Sequence, residues 1–238
     1  MKTGKLYGIG IGPGDPELLT LKALRIIKEA EVIYVAASSK NNYSLAASVV
    51  KPHLPAGKEL KMLSFPMTYE RNELERAWRE NAQKVAQELS KGKDVAFLTM
   101  GDPCFYSTFS YLARAVKELL PQVEFEIVPG VTAAQAAAAR LKMALSEGDE
   151  TVLFASGASG GKALREFASK VDTIVLYKVY RQAGDIYQAL KENGLLEKTS
   201  GVSFCSTPKE KVFKNFPDLT RVKLPYFSLF IVGGKPLK

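Results

Sequence analysis

Short apolar runs alternate along this chain with longer stretches in which apolar residues recur every three or four positions. Leu6 to Ile11 reads as a strand. Leu18 to Ala30 reads as a helix, with Leu21, Leu24, Ile27 and Ala30 on one face. Its start has two candidate caps, Asp15 with Pro16, or Thr20 one turn later. Val32 to Ala36 is a buried-strand run, and Ser44 to Val50 a helix that stops near Pro52. Arg71 to Leu89 is a long helix whose stripe is Leu74, Ala77, Trp78, Ala82, Val85, Ala86 and Leu89, closed by Gly92. Asp94 to Thr99 then reads as strand, Thr108 to Leu120 as helix and Glu124 to Val128 as strand.

The second half continues the alternation. Thr132 to Leu141 is an Ala-rich helix, Thr151 to Phe154 a strand, Lys162 to Ser169 a helix, Thr173 to Tyr177 a strand and Asp185 to Asn193 a helix stopped by Gly194. Val202 to Cys205, Lys211 to Phe216 and Ser228 to Val232 follow as strands without intervening helices. The rhythm predicts an α/β protein whose second sheet contains antiparallel strands. The expected domains are 1–130 and 131–238. No Gly/Ser-rich linker separates them, so the halves are expected to pack closely.

Gly and Pro punctuate three of the predicted strand ends: Gly10-Ile11-Gly12-Pro13-Gly14-Asp15-Pro16, Gly101-Asp102-Pro103 and Pro129-Gly130-Val131-Thr132. Gly permits close backbone approach and Pro fixes φ, so the three turns suggest one cleft built from strand ends. The first is not a dinucleotide fingerprint: counted from Gly10 the sixth position is Asp15, and from Gly8 it is Pro13. The stretch Ser156-Gly157-Ala158-Ser159-Gly160-Gly161-Lys162-Ala163 misses a phosphate-binding loop at both ends, with no hydroxyl placed for Mg²⁺. It reads as a strand-to-helix loop.

Composition is that of an ordinary globular protein: of 238 residues, 46% are hydrophobic and 24% charged. No apolar run reaches the length of a membrane span, and the basic N-terminus lacks a signal-peptide core. Two cysteines, Cys104 and Cys205, make no disulfide framework and point to a reducing cytoplasm. The net charge of +8 is spread over Lys22, Arg25, Lys28, Lys91, Lys93, Lys209, Lys211 and Lys214, which fits solvated helix faces or a polycarboxylate ligand. His53, the sole histidine, lies outside any motif and reads as structural; no cluster has metal-ligand spacing.

Taken together and in this order, the three turns resemble the signatures of the tetrapyrrole methylase family, the corrin and porphyrin C-methyltransferases that use S-adenosylmethionine. The similarity runs through essentially the whole length. It includes Glu17-Leu18-Leu19-Thr20-Leu21-Lys22-Ala23 after the first turn, Thr99-Met100 before the second and Ala133 after the third. Within the family, Phe65-Pro66-Met67-Thr68, Asp102-Pro103-Cys104-Phe105-Tyr106-Ser107-Thr108 and Glu147-Gly148-Asp149-Glu150 look like the precorrin-2 or cobalt-factor II C-20 methyltransferases of cobalamin synthesis. Cys104 departs from the larger apolar residue expected there.

The resemblance implies two α/β domains with the active site in the cleft between them, a homodimer, and a tetrapyrrole substrate. It places cofactor contacts at Pro13, Met100, Gly101, Asp102, Phe105, Thr132 and Ala133, and at the later strand ends Tyr177 or Lys178 and Cys205 or Ser206. Asp102 either faces the sulfonium or holds its own turn through an Asx-type bond. Thr132 is also a candidate helix cap, and Phe105 with Tyr106 line a ligand surface or belong to the core. Phe65 to Thr68 is a candidate substrate lid or a surface turn. Asp102, Tyr106, Glu147 and Asp149 are the candidate proton acceptors, with Asp102 and Tyr106 expected to be catalytic. The alternatives are a tetrapyrrole methylase with a different carbon target and, from another class, a nucleic-acid-binding module. The latter would show steep salt-dependent binding; the methylase reading involves neither nucleic acid nor membrane.

Overall fold

A computed structural model describes residues 2–38, 44–66, 68, 70–214 and 223–237. The chain forms two compact units, Met1–Thr132 and Ala133–Lys238, against the expected division after 130. The first contains β1 (Leu6–Gly10), α1 (Leu21–Glu29), β2 (Val32–Ser38), α2 (Leu45–Val50), β3 (Leu60–Phe65), α3 (Arg71–Ser90), β4 (Val95–Thr99), α4 (Phe109–Leu119) and β5 (Phe125–Val128). Both candidate caps before α1 are used. Asp15 Oδ1 accepts the Glu17 N–H at the head of a 3₁₀ turn, Pro16–Leu18, and Thr20 Oγ1 accepts the Ala23 N–H at the head of α1.

The five strands run parallel in the order β3-β2-β4-β1-β5. Strand side chains alternate in direction, so each strand feeds two cores. Leu6, Val95, Phe97, Leu63 and Phe65 join α3 and α4 on one face; Ile9, Ala96, Leu98, Ile33 and Val35 join α1 and α2 on the other. Phe97 is fully buried between Phe65 and Phe109, at ring-centroid distances of 6.0 and 6.1 Å. Truncating it to Ala would cost about 3–5 kcal/mol. Gly8 is required here: a Cβ would lie 2.4 Å from the Phe109 ring.

β3 is not among the elements expected from the sequence, and it makes Phe65, the first residue of the candidate lid or surface turn, a strand end. Phe65 ends this strand with its side chain in the core, 8% exposed. Pro66 and Thr68 follow, half-buried; Met67 lies outside the described residues.

The second unit contains α5 (Ala133–Leu141), β6 (Met143–Ala144), β7 (Val152–Ser156), α6 (Lys162–Phe167), β8 (Thr173–Tyr177), α7 (Ala183–Glu192), β9 (Thr199–Ser203), β10 (Lys211–Phe213), β11 (Ser228–Gly233) and β12 (Lys235–Pro236). Its main sheet has the order β10-β9-β11-β8-β7, with β7 parallel to β8 and β11 antiparallel to both neighbours, β8 and β9. The expected mixture is therefore observed. β9 starts three residues earlier than expected and ends before Cys205. The end of the strand expected over Lys211 to Phe216 falls outside the described residues, beyond β10.

Candidate functional site

The three Gly/Pro turns follow β1, β4 and β5, which are neighbours in the first sheet, so all three leave from its carboxyl edge. They are interlocked through the backbone. Gly12 and Gly101 exchange both hydrogen bonds, at 3.3 and 2.8 Å, and the Ile11 N–H donates to the Thr99 carbonyl at 3.0 Å. Gly10 and Gly130 are glycines because the backbones touch: a Cβ on Gly10 would sit 2.6 Å from the Gly101 carbonyl oxygen, and one on Gly130 only 2.2 Å from it.

Gly101 differs. Its φ of +67° is in the left-handed region, but a Cβ would meet nothing nearer than Thr132 Cα at 3.9 Å. The loop is thus closed against its neighbours and open on the face where a ligand backbone contact would be made.

Asp102 clamps these turns. Its Oδ1 accepts the Cys104 N–H at 2.8 Å, the expected Asx bond, and its Oδ2 accepts the Gly130 N–H at 3.0 Å. Each carboxylate oxygen keeps a second lone-pair site, so the clamp is compatible with a ligand contact. Below it, Ser107 Oγ donates to the buried Thr99 hydroxyl at 3.0 Å and accepts the Phe109 N–H at the start of α4. Pro13 is buried, Met100 packs partly against the core, and Phe105 lies edge-on to Tyr106 at 4.8 Å. Tyr106 is 45% exposed and has φ +49°. Burial pushes its phenol above the ordinary range.

In the second unit, the ends of β8 and β9 lie at one edge, because Leu229 of β11 is opposite both Tyr177 and Val202. This edge carries Tyr177, Lys178, Phe204, Cys205 and Ser206. The Tyr177 hydroxyl accepts the Ala134 N–H at 3.1 Å, so it satisfies a first-turn amide of α5 beside Ala133. Thr132 immediately precedes that helix. Cys205 is buried, which pushes its thiol up, whereas Cys104 is exposed.

Five non-glycine residues have positive φ among the described residues: Tyr106, Lys142, Lys178, Phe204 and Ser206. Four of the five lie in the loop after β4 or in the turns after β8 and β9. Such conformations cost about 1–3 kcal/mol each and concentrate where function over-determines the backbone.

One group of expected residues is not at these edges. Glu147 and Asp149 precede β7, whose last residue is the one opposite Tyr177; the two acids are therefore at the other end of that strand. Glu147 and Glu150 both pair there with Lys235 of β12. Of the four candidate proton acceptors, Asp102 is the one carboxylate at a carboxyl edge. The glycine stretch after β7 leaves from the same edge as the turn after β8, since Ser156 is opposite Tyr177, and its amide is already taken: Asp185 Oδ2 accepts the Gly161 N–H at 2.8 Å, and a Cβ on Gly160 would strike that oxygen at 2.1 Å. An internal carboxylate, itself paired with Arg165, occupies the position a phosphate would need.

The dispersed positive charge is partly internal. Lys5 and Lys22 pair with Glu126, and Lys61, Lys91 and Lys93 with Glu88. Arg140 and Glu210, absent from the sequence-based site, form an ion pair behind the turn after β9; their spacing in the sequence carries no signal of it.

The comparisons with known proteins agree with this architecture. The family model for Tetrapyrrole (Corrin/Porphyrin) Methylases matches residues 5–218. The chain is similar to the cobalt-precorrin-2 C(20)-methyltransferase of Salmonella typhimurium, at 34% identity over 231 residues, covering 97% of this chain and 96% of that protein. It is similar also to a probable cobalt-precorrin-2 C(20)-methyltransferase of Methanocaldococcus jannaschii, at 40% identity over 174 residues, 73% and 72% of the two chains. Among solved structures, the uroporphyrin-III C-methyltransferase of Thermus thermophilus complexed with S-adenosylhomocysteine superposes with a TM-score of 0.67 at 27% identity, covering 97% of each chain.

Proposed function

Because this chain belongs to the tetrapyrrole (corrin/porphyrin) methylases, we propose that it transfers a methyl group from S-adenosylmethionine to C-20 of precorrin-2 or cobalt-factor II in cobalamin synthesis. The observation that carries the reading is the interlock of the Gly10, Gly101 and Gly130 turns under Asp102. It leaves Gly101 facing open space while Gly10 and Gly130 are packed backbone to backbone, which suits a ligand that is gripped by main-chain contacts.

The cofactor supplies, when bound, a methyl group already activated by positively charged sulfur. The work left to the protein is alignment and exclusion of water. Asp102 offers its remaining lone pairs to the positive centre and is the carboxylate available to take the proton released from the methylated carbon. Tyr106, as a neutral donor, orients the macrocycle. Pro13, Met100, Phe105, Thr132 and Ala133 are the further cofactor contacts in this reading, with Tyr177, Lys178, Cys205 and Ser206 from the second unit. The reading extends to a cytoplasmic homodimer, consistent with two unpaired cysteines; sedimentation measures the assembly.

The deciding experiment is incubation with S-adenosylmethionine and either metal-free precorrin-2 or cobalt-factor II. Mass spectrometry should show one added methyl, and NMR should place it at C-20. A methyl at another carbon would leave the family standing and overturn the target.

A further inference from the structure

The turn between β9 and β10 contains two non-glycine residues in the left-handed region, Phe204 at φ +50° and Ser206 at +60°, on either side of buried Cys205. They are held in different ways. Phe204 is fixed on both sides of its peptide: its N–H donates to the Phe227 carbonyl at 2.7 Å, and its carbonyl accepts from the Thr207 N–H at 3.1 Å and the Thr207 hydroxyl at 2.8 Å. The Ser206 N–H donates instead to a side chain, Glu210 Oε2, at 2.8 Å. The other Glu210 oxygen accepts from Arg140 of α5.

α5 thus anchors both strand ends of this edge. Near its start the Ala134 N–H donates to the Tyr177 hydroxyl at the end of β8, and from its last turn Arg140 reaches the carboxylate that holds Ser206 after β9. We propose that Glu210 is a positioning residue for the cofactor: it keeps Ser206 in the left-handed conformation and so sets the direction of the Cys205–Ser206 peptide that meets the ligand. This rests on the reading of Cys205 and Ser206 as cofactor contacts. The Ser206 amide and Arg140 together outweigh burial and hold the Glu210 carboxyl below its ordinary range, so it is charged throughout the neutral region.

The test is a cycle of four proteins titrated calorimetrically with S-adenosylhomocysteine: the parent, Glu210→Ala, Ser206→Gly and the double variant. Glycine adopts a positive φ without help, so Glu210→Ala is expected to weaken binding about tenfold or more in the parent and less than about twofold in the Ser206→Gly background. Glu210→Gln keeps an oxygen for the Ser206 N–H and should bind nearly as the parent does. Equal losses in both backgrounds, no loss from Glu210→Ala, or a Gln variant as weak as the Ala variant would overturn the role. Should Glu210→Ala unfold, the double variant is expected to recover folding and binding together, and its failure would equally overturn it. A parent protein that does not bind the ligand removes the cofactor reading itself; a parent that binds, with uncoupled variants, removes Glu210 alone.

Discussion

Asp102 joins two loops that are far apart in sequence: Oδ2 accepts the Gly130 N–H at 3.0 Å while Oδ1 accepts the Cys104 N–H at 2.8 Å. An amide cannot do both, because its nitrogen would face one of the two N–H donors. Asp102→Asn is therefore expected to lower stability by about 1–3 kcal/mol, read from urea unfolding, and to weaken S-adenosylhomocysteine binding in parallel. Unchanged stability with lost turnover would show that the charge, and not the clamp, is what matters.

Gly101 and Gly130 separate torsion from space. Gly101→Ala pays for a left-handed φ in an open position, at a cost of about 1–2 kcal/mol. Gly130→Ala drives a methyl to within 2.2 Å of a backbone oxygen that the Gly12–Gly101 exchange holds in place. It should be the more destabilising of the two by thermal or chemical unfolding. The reverse order would mean that the turns part easily. Gly101→Val, with a branched side chain at the same φ, should fold and lose the cofactor.

Tyr106 is predicted to act on the reaction more than on the cofactor. Tyr106→Ala should lower kcat about ten- to hundredfold while leaving the Kd for S-adenosylhomocysteine within about twofold, since alignment of carbon and methyl is a transition-state requirement. Equal losses in both would move Tyr106 to the cofactor side.

Acid sensitivity should be written partly in Glu126. Hydrogen bonds from Lys22 and Lys5 draw its pKa from 4.5 down to about 2. A depressed carboxylate stabilises the fold above its unfolded pKa, and that contribution is lost as pH falls through the folded value. Glu126→Gln should thus be less stable than the parent at pH 7, and the gap should shrink between pH 4.5 and about 2. A gap that persists at pH 2 would assign the loss to packing.

Local signals were enough for much of this molecule. The Thr173–Tyr177 strand, the stripe of α3 and the dual caps at Asp15 and Thr20 depend on neighbours within a few residues, and all are visible in the amino-acid order. The three turns are equally local, because each needs only Gly or Pro at a strand end. β3 was not legible: Lys61, Met62 and Ser64 are exposed on this edge strand and dilute its apolar signal. β9 was displaced because Thr199, Ser200 and Gly201 look polar, yet the strand is enclosed between β10 and β11. The two-residue β6 and β12 are too short to carry a period and exist only through pairing with each other.

By itself, then, the sequence determined the alternation of helices and strands, the mixed second sheet and the turns on which a methylase resemblance could rest, all of them consequences of short-range pattern. Only the tertiary structure decided the strand order β3-β2-β4-β1-β5, which makes those turns neighbours. It also decided the Asp102–Gly130 clamp, the capture of the Gly161 amide by Asp185 and the hold of Glu210 on Ser206. The reason is the same in each: a carboxylate accepts any N–H that packing brings within reach, and which one arrives is settled by how the whole chain closes.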